Sequence, residues 1–486
     1  MNWEFLINEN TLAWLVPDIY AHYRRPLLHS LTLFLEGLPE TRREDILAEQ
    51  AALPVGATVL DRLVRLARSC PVLHKLGQTL ARDRNLSAEL RKGLQKLESL
   101  SPSVPMEAVK QVLKDELGPL DRLGITLLPR ALAEASVAVV VPFRFSSGKL
   151  PLNGVFKVLK PGIQERMEVE LALLEQVGSF LDRRCDDLGI PQLDYRDSFE
   201  QVREKLLNEV RLDREQSNLS SARRFYRGDP RVVVPELFDF CTPKVTAMER
   251  VTGRKVTRGR GDLEKKAMAR LVIETLIARP IFSLDGQAPF HGDPHAGNLF
   301  RVKDGRLAVL DWSLVGLLGE KERVSMMQTI LGGMGFSPER IIDALSRLSI
   351  APPGDPPALM AAVNKAIARI QNGQFPGFTW LKGLLDDVVR TAGVRFGAEL
   401  MLFRRAIHMV EGVVTDLEGE AGLVDRVFLS EFGLNFSAEW PRRFWTPPGS
   451  RDFSTRISNT DLAGLMMSFP WRAFGFWLDR GAASCL

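Results

Sequence analysis

The chain has 486 residues, is 45% apolar and 26% charged, and carries a formal charge of +4. That composition excludes a disordered polymer, and the length exceeds one ordinary domain, so a two-lobed body with extra helical pieces is expected. So small a net charge gives no ground for a nucleic-acid partner, and no run of eighteen uncharged apolar residues predicts a membrane-spanning helix.

The first hundred residues read as helical. Leu12, Leu15, Ile19, Tyr23 and Leu27 recur at helical spacing, punctuated by Pro17 and Pro26, and Ala57–Ala67 forms a second amphipathic stretch. Lys75-Leu76-Gly77-Gln78 then sets a cation, a glycine and an amide together on what reads by default as a surface helix. SPSVP at 101–105 predicts a hinge, and Met106–Leu117 a further helix. The four cysteines, Cys70, Cys185, Cys241 and Cys485, are too far apart for a zinc pattern and too few for a disulfide framework. A reducing, cytoplasmic location is therefore expected, and the acidic, non-basic start MNWEFLINEN does not read as a secretory leader.

From Ile125 the character changes. Ala131, Ala133, Ala135 and Ser136 precede the β-branched run Val137–Val141, and small residues beside a strand let backbone approach a bound group. Ser147-Gly148 marks a turn into VFKVLKPG at 155–162, where Lys157 sits mid-strand. Burying a lysine without a partner is costly, so Lys157 is expected to meet phosphate oxygens and a carboxylate rather than lie on a solvated edge. Helical blocks follow at Ile163–Leu181 and Ser198–Phe225. Spacing alone favours Glu170 or Glu175 as the lysine's partner. Residues 232–240 and 244–251 read as a strand pair. Met248-Glu249 then becomes the connector between lobes, whose backbone can meet an adenine ring.

A helix at Leu263–Ile281 leads into HGDPHAGNLF, from His291 to Phe300, answered by AVLDWS at Ala308–Ser313. An Asp, an Asn and a second Asp in this order suit phosphoryl transfer from ATP. Asp293 would orient the acceptor hydroxyl, while Asn298 and Asp311 would hold Mg²⁺. A zinc site at His291, Asp293 and His295 is the rival reading of the same loop, and a purely structural loop a second. Five more helices follow, at Lys321–Met334, Arg340–Leu348, Ala358–Ile370, Trp380–Ala392 and Ala398–Asp416. The aromatic segment Leu462–Leu478 either lies in a membrane interface or docks as a C-terminal helix.

Taken together these motifs resemble the UbiB/AarF atypical kinase family, whose members act in ubiquinone or other isoprenoid-lipid metabolism. KLGQ at 75–78 followed by Arg82-Asp83 looks like its KxGQ signature, and AEAS at 133–136 like the Ala-rich loop that replaces a Gly-rich one. VFKVLKPGI resembles the strand of the nucleotide lysine, EVRLDREQSN at 209–218 the helix bearing two glutamates, and HGDPHAGN with LDWS the catalytic and metal loops. The resemblance runs from about Ala67 to Asp416.

It implies an α+β, bilobal protein-kinase-like fold with an N-terminal helical KxGQ extension and a helical C-terminal tail, divided at 1–124, 125–250, 251–430 and 431–486. It implies that Lys157 touches the phosphates paired to Glu215, against the spacing preference. Lys75 would pair with Glu209 over the active site, with the KxGQ helices covering the place where a protein substrate would dock. Asp293 would be the catalytic carboxylate, Asn298 and Asp311 the metal ligands, and ATP or ADP with Mg²⁺ the cofactors. The expected partners are a nucleotide and a quinone-type or isoprenoid lipid or membrane surface, with no nucleic acid.

Three departures from the family pattern stand out. Ser313 occupies a usual glycine position, where a left-handed backbone would be strained. Arg211-Leu212 replaces Asp-Tyr, and Val139 replaces Gln. The rival functions are a small-molecule phosphotransferase of the aminoglycoside or choline-kinase type, and a nucleotide-binding pseudokinase that acts as an assembly module.

Overall fold

Pro17 breaks the first helical stripe as its missing N–H requires. Glu9–Leu15 is one helix, capped by the Asn8 side chain, and a 3₁₀ turn at Asp18–Tyr23 separates it from Arg24–Gly37. Ile19 is left exposed by that turn, so the five-residue stripe expected from spacing is two short faces rather than one helix. Pro26 sits harmlessly in the first turn of the next helix. The computed structural model describes residues 3–80, 86–95, 97, 104–146, 152–192, 194–259, 261–417 and 422–467. Arg82-Asp83, Ser147-Gly148, much of SPSVP, Cys485 and the aromatic segment beyond residue 467 lie outside the described residues.

The strands in chain order are β1 (Ile125–Leu127), β2 (Ala133–Glu134), β3 (Ala138–Phe145), β4 (Leu152–Leu159), β5 (Val232–Val233), β6 (Val245–Glu249), β7 (Gly253–Lys255), β8 (Gln287–His291), β9 (Leu299–Val302), β10 (Leu307–Val309) and β11 (Val315–Gly319). They fall into two compact units: Met1–Ser217 with Glu236–Arg250, and Asn218–Pro235 with Val251–Leu486.

The first unit holds the antiparallel sheet β1-β3-β4-β6, with β2 paired to β3. One sheet face is an aliphatic and aromatic core in which Phe143 stacks on Phe156 at 4.2 Å. Val139 is buried in that core, so the departure from Gln there serves packing. A second core gathers the N-terminal helices around Ile163–Arg183. The helix Met106–Leu117 has the predicted bounds, and Val59–Ser69 begins on a capping box between Thr58 and Asp61.

The second unit holds the sheet β5-β10-β9-β7, the two-stranded antiparallel sheet β8-β11 and helices that bury Trp312, Trp380, Phe290, Phe378 and Phe403 completely. Three expectations are corrected in these units. The block Ser198–Phe225 is two helices, Tyr195–Glu209 and Leu212–Tyr226, broken at Val210 and Arg211. The segments 232–240 and 244–251 pair only locally, where Leu237 bridges Met248 antiparallel and the Phe238 N–H donates to the Ala247 carbonyl at 2.9 Å. β5 runs parallel to β10 and β6 antiparallel to β4, with a further single bridge at Thr242–Val245. The helix expected at Leu263–Ile281 is α-helical over Asp262–Ile273, then turns π over Glu274–Ala278. The later helices, Glu320–Met334, Pro338–Leu348, Pro356–Gln371, Phe378–Ala392 and Ala398–Asp416, follow the predicted order. Among the described residues no helix is long and apolar enough to cross a membrane.

Candidate nucleotide site

In the first unit Lys157 lies on an interior strand, opposite Val140 of β3 and Thr246 of β6. The solvated-edge reading therefore fails. Its ammonium donates to both carboxylate oxygens of Glu215, at 2.8 and 2.7 Å, with both side chains largely buried. Glu215 stands in the first turn of Leu212–Tyr226, where the helix dipole favours a carboxylate. The next residue fixes that turn: the Gln216 amide donates to the carbonyls of Thr242 and Val245 and to the Thr246 hydroxyl.

The spacing preference for Glu170 or Glu175 is overturned. Glu175 pairs with Arg196 at 2.9 Å. Glu170 is buried and accepts the Val72 N–H at 2.9 Å, in the first turn of the KLGQ helix Pro71–Leu80. Burial lifts its carboxyl to about 8. Both glutamates are near Lys157 along the chain, but a helix presents only one face to a strand.

The KLGQ helix brings Lys75 to Glu209, the last residue of Tyr195–Glu209, and the Ser136 hydroxyl donates to the same carboxylate at 3.4 Å. The break at Val210 and Arg211 thus lets Glu209 and Glu215 serve two different lysines. A Cβ at Gly77 would stand 2.7 Å from Leu97 Cδ1, so a larger residue there would make that side chain shift. Ala133 and Ala135 are exposed on the Ala-rich turn, which closes through the Ala135 N–H to the Ala138 carbonyl at 2.8 Å.

Met248 and Glu249 end β6, just before the chain leaves this unit at Arg250. The Glu249 N–H is already given to the Glu236 carbonyl, at 2.7 Å, so that amide is not available to a ring.

In the second unit the HGDPHAGN loop is built around His291, which is fully buried at the end of β8. Its Nδ1 accepts the Asp293 N–H at 3.1 Å, its Nε2 meets the Leu310 carbonyl at 3.0 Å, and its ring packs edge-on against Trp312. Burial pushes its pKa down, so the ring stays neutral. With both nitrogens engaged it is not a metal ligand, and no cluster of three or more metal-binding His, Cys, Asp or Glu occurs among the described residues. The zinc reading is without support.

Asn298 is nearly buried and donates through Nδ2 to the Asp293 carbonyl at 3.2 Å, so Oδ1 is the atom it could offer a cation. The glycines of the loop have local causes: a Cβ on Gly292 would crowd Leu314, and one on Gly297 the His295 ring. Asp293 lies 3.7 Å from Arg405 and 3.8 Å from His295. Asp311, not Ser313, takes the left-handed conformation, at φ 57°. The expected strain at Ser313 is therefore absent, and its N–H instead donates to Asp311 Oδ1 at 3.3 Å. Asn218 donates to the Trp312 carbonyl at 3.0 Å and steadies the LDWS loop from the end of the glutamate motif.

Reading by motif passed over Arg405, the role of Asn218 and the pair Lys160–Glu134, 2.8 Å apart. The last was signalled by the second lysine of VFKVLKPG and the glutamate inside AEAS.

The model of the ABC1 atypical kinase-like domain matches residues 96–343, just over half of the chain. An aarF domain-containing protein kinase of Arabidopsis thaliana, named as chloroplastic, is 29% identical over 269 residues, covering 52% of this chain and 47% of that one. A protein of Actinobacillus pleuropneumoniae named as a probable protein kinase UbiB is 28% identical over 270 residues, covering 52% and 48%. A Mycobacterium tuberculosis protein solved with erythromycin aligns at a TM-score of 0.49 and 19% identity, over 71% of this chain and 87% of that one. The chain spans about half the length of the curated relatives it matches. Its motifs and the family match agree, and the chain belongs to the ABC1 atypical kinase-like family, the UbiB/AarF kinases.

Proposed function

We propose that this chain binds ATP with Mg²⁺ and passes the γ-phosphoryl group to water or to a non-protein acceptor in quinone or isoprenoid-lipid metabolism. The observation that carries the reading is the two-oxygen contact between Lys157 and Glu215 on an interior strand. A carboxylate there holds the ammonium in place for phosphate oxygens, as kinases require. Asn298 Oδ1 and the Asp311 carboxylate are the ligands offered to the metal, which when bound neutralises charge on the β- and γ-phosphates. Asp293 orients the attacking hydroxyl and accepts its proton, while the Arg405 guanidinium keeps positive charge beside it. The Ala-rich turn offers backbone and Ser136 to the nucleotide.

Two observations weigh on the rivals. Lys75 and Glu209 tie the N-terminal helices to the Ala-rich turn, which favours the UbiB-type reading over an aminoglycoside- or choline-kinase-type enzyme. Ser313 carries no left-handed strain, which removes the motive for a purely non-catalytic module.

The test measures melting temperature and phosphate release with Mg–ATP. Lys157→Ala and Asp311→Asn are expected to abolish nucleotide stabilisation. Asp293→Asn should keep it while hydrolysis falls on the order of 10²-fold or more. Equal hydrolysis in Asp293→Asn and parent would leave only a binding module. Stimulation of phosphate release by phenolic quinone precursors or liposomes, but not by aminoglycosides or choline, would support the lipid assignment.

A further inference from the structure

Within the first unit a cavity of about 300 Å³ lies between the helix Val59–Ser69, the start of the KLGQ helix, the Ala-rich turn and the start of Ile163–Arg183. Its walls present Arg42, Arg65, Arg68, Lys160 and Arg166 against only two carboxylates, Glu49 and Glu134. Both carboxylates are already occupied. Glu49 takes Arg65 at 3.3 Å and the Ser69 hydroxyl, and Glu134 takes Lys160 at 2.8 Å and the Val104 N–H at 3.2 Å.

Among the described residues Arg68 and Arg166 have no ion pair. Arg42 spends one nitrogen on the Ser69 carbonyl and stands 3.5 Å from Asp45. His74 in the same wall is buried with Nε2 on the Leu97 carbonyl. Its pKa is lowered to about 4 by burial and by the charges of Lys160, Lys75 and Arg68. A positive field without a matching acid therefore fills the space. Neither Lys157 nor Glu215 belongs to its walls.

We propose that this cavity binds a small phosphate-bearing anion at a site separate from the nucleotide lysine, held by Arg68, Arg166 and Arg42. Arginine forks match phosphate oxygens in pairs, and the space admits a diphosphate or a phosphorylated headgroup. Ser136 lines the cavity and also donates to Glu209, the partner of Lys75. The occupant thus sits one side chain from the KLGQ contact and biases it. The site itself does not depend on the proposed phosphotransfer.

The test titrates the full chain with sodium pyrophosphate against sodium chloride of equal ionic strength, by calorimetry and thermal shift. Saturable binding at millimolar or lower concentration is expected in the parent and in Lys157→Ala, weakened about tenfold or more in Arg68→Gln/Arg166→Gln. The charge-keeping pair Arg68→Lys/Arg166→Lys should retain binding in part, which separates lost recognition from lost folding. Vesicles of phosphatidic acid, compared with phosphatidylcholine, distinguish the source. Sedimentation lost in the arginine variant assigns a lipid headgroup, and binding of soluble pyrophosphate alone assigns a free phosphate compound. No saturable binding in the parent overturns the proposal. So does binding that disappears in Lys157→Ala and persists in Arg68→Gln/Arg166→Gln.

Discussion

Glu170 shows what one buried carboxyl does to the pH response of this chain. Burial raises its pKa from 4.5 to about 8, although the Val72 N–H, Arg42 and Arg166 pull the other way. The folded state then keeps a proton that the unfolded chain releases. Its contribution to stability is complete below about 4.5 and is lost as pH rises toward 8. Glutamine can still accept the Val72 N–H and has nothing to titrate. Glu170→Gln is therefore expected to match the parent in melting temperature near pH 5 and to exceed it by several degrees near pH 8.5. Parallel melting curves for the two proteins across that range would remove Glu170 from the account. The same residue explains why counting positions from Lys157 misleads. Its carboxylate is spent on the first turn of the KLGQ helix, so it supports Lys75 indirectly rather than holding Lys157.

At the scale of elements, the break between Tyr195–Glu209 and Leu212–Tyr226 decides more than any single residue nearby. A continuous helix would carry Glu209 and Glu215 at a fixed offset of six residues, about 120° apart around the axis. Interrupting it at Val210 and Arg211 allows each carboxylate its own lysine. The departure Arg211-Leu212 sits at this break: Leu212 is fully buried, and Arg211 pairs outward with Asp213 at 3.0 Å.

A second element depends on one cation. Arg443, near the end of Leu423–Arg443, is buried between the rings of Phe436 and Phe453, at 4.7 and 4.1 Å. It donates to Glu439 at 2.7 Å, to Thr455 Oγ1 at 2.8 Å and to the Ile457 carbonyl at 3.0 Å. Arg443→Ala leaves the buried Glu439 carboxylate without its cation and should cost about 3–5 kcal/mol, read by denaturant unfolding. Adding Glu439→Gln should recover part of that loss. A double variant no more stable than Arg443→Ala alone would show that ring packing, not charge, dominates.

At the scale of the whole molecule, Lys157 and Glu215 belong to the first unit and Asp293, Asn298 and Asp311 to the second. If one nucleotide needs all five, losses will not add. Lys157→Ala/Asp311→Asn should then reduce Mg–ATP stabilisation no further than either change alone, whereas independent sites would give additive losses.

The sequence by itself determined the family and the order of motifs, and it nominated Lys157, Asp293, Asn298 and Asp311 as candidates. These are local signals, a lysine inside a β-rich run and a loop whose residue types suit a metal and a hydroxyl. The match over residues 96–343 agrees with the family they point to. Tertiary structure decided which glutamate meets which lysine, that Asp311 rather than Ser313 turns left-handed, and that His291 is scaffolding rather than a ligand. It also decided that five cations converge around a cavity walled by helices distant in the chain. Most of these depend on packing between segments distant in the chain, as with Lys157 and Glu215, 58 positions apart. Spacing along one helix or strand has no way to encode which neighbour arrives across such a loop.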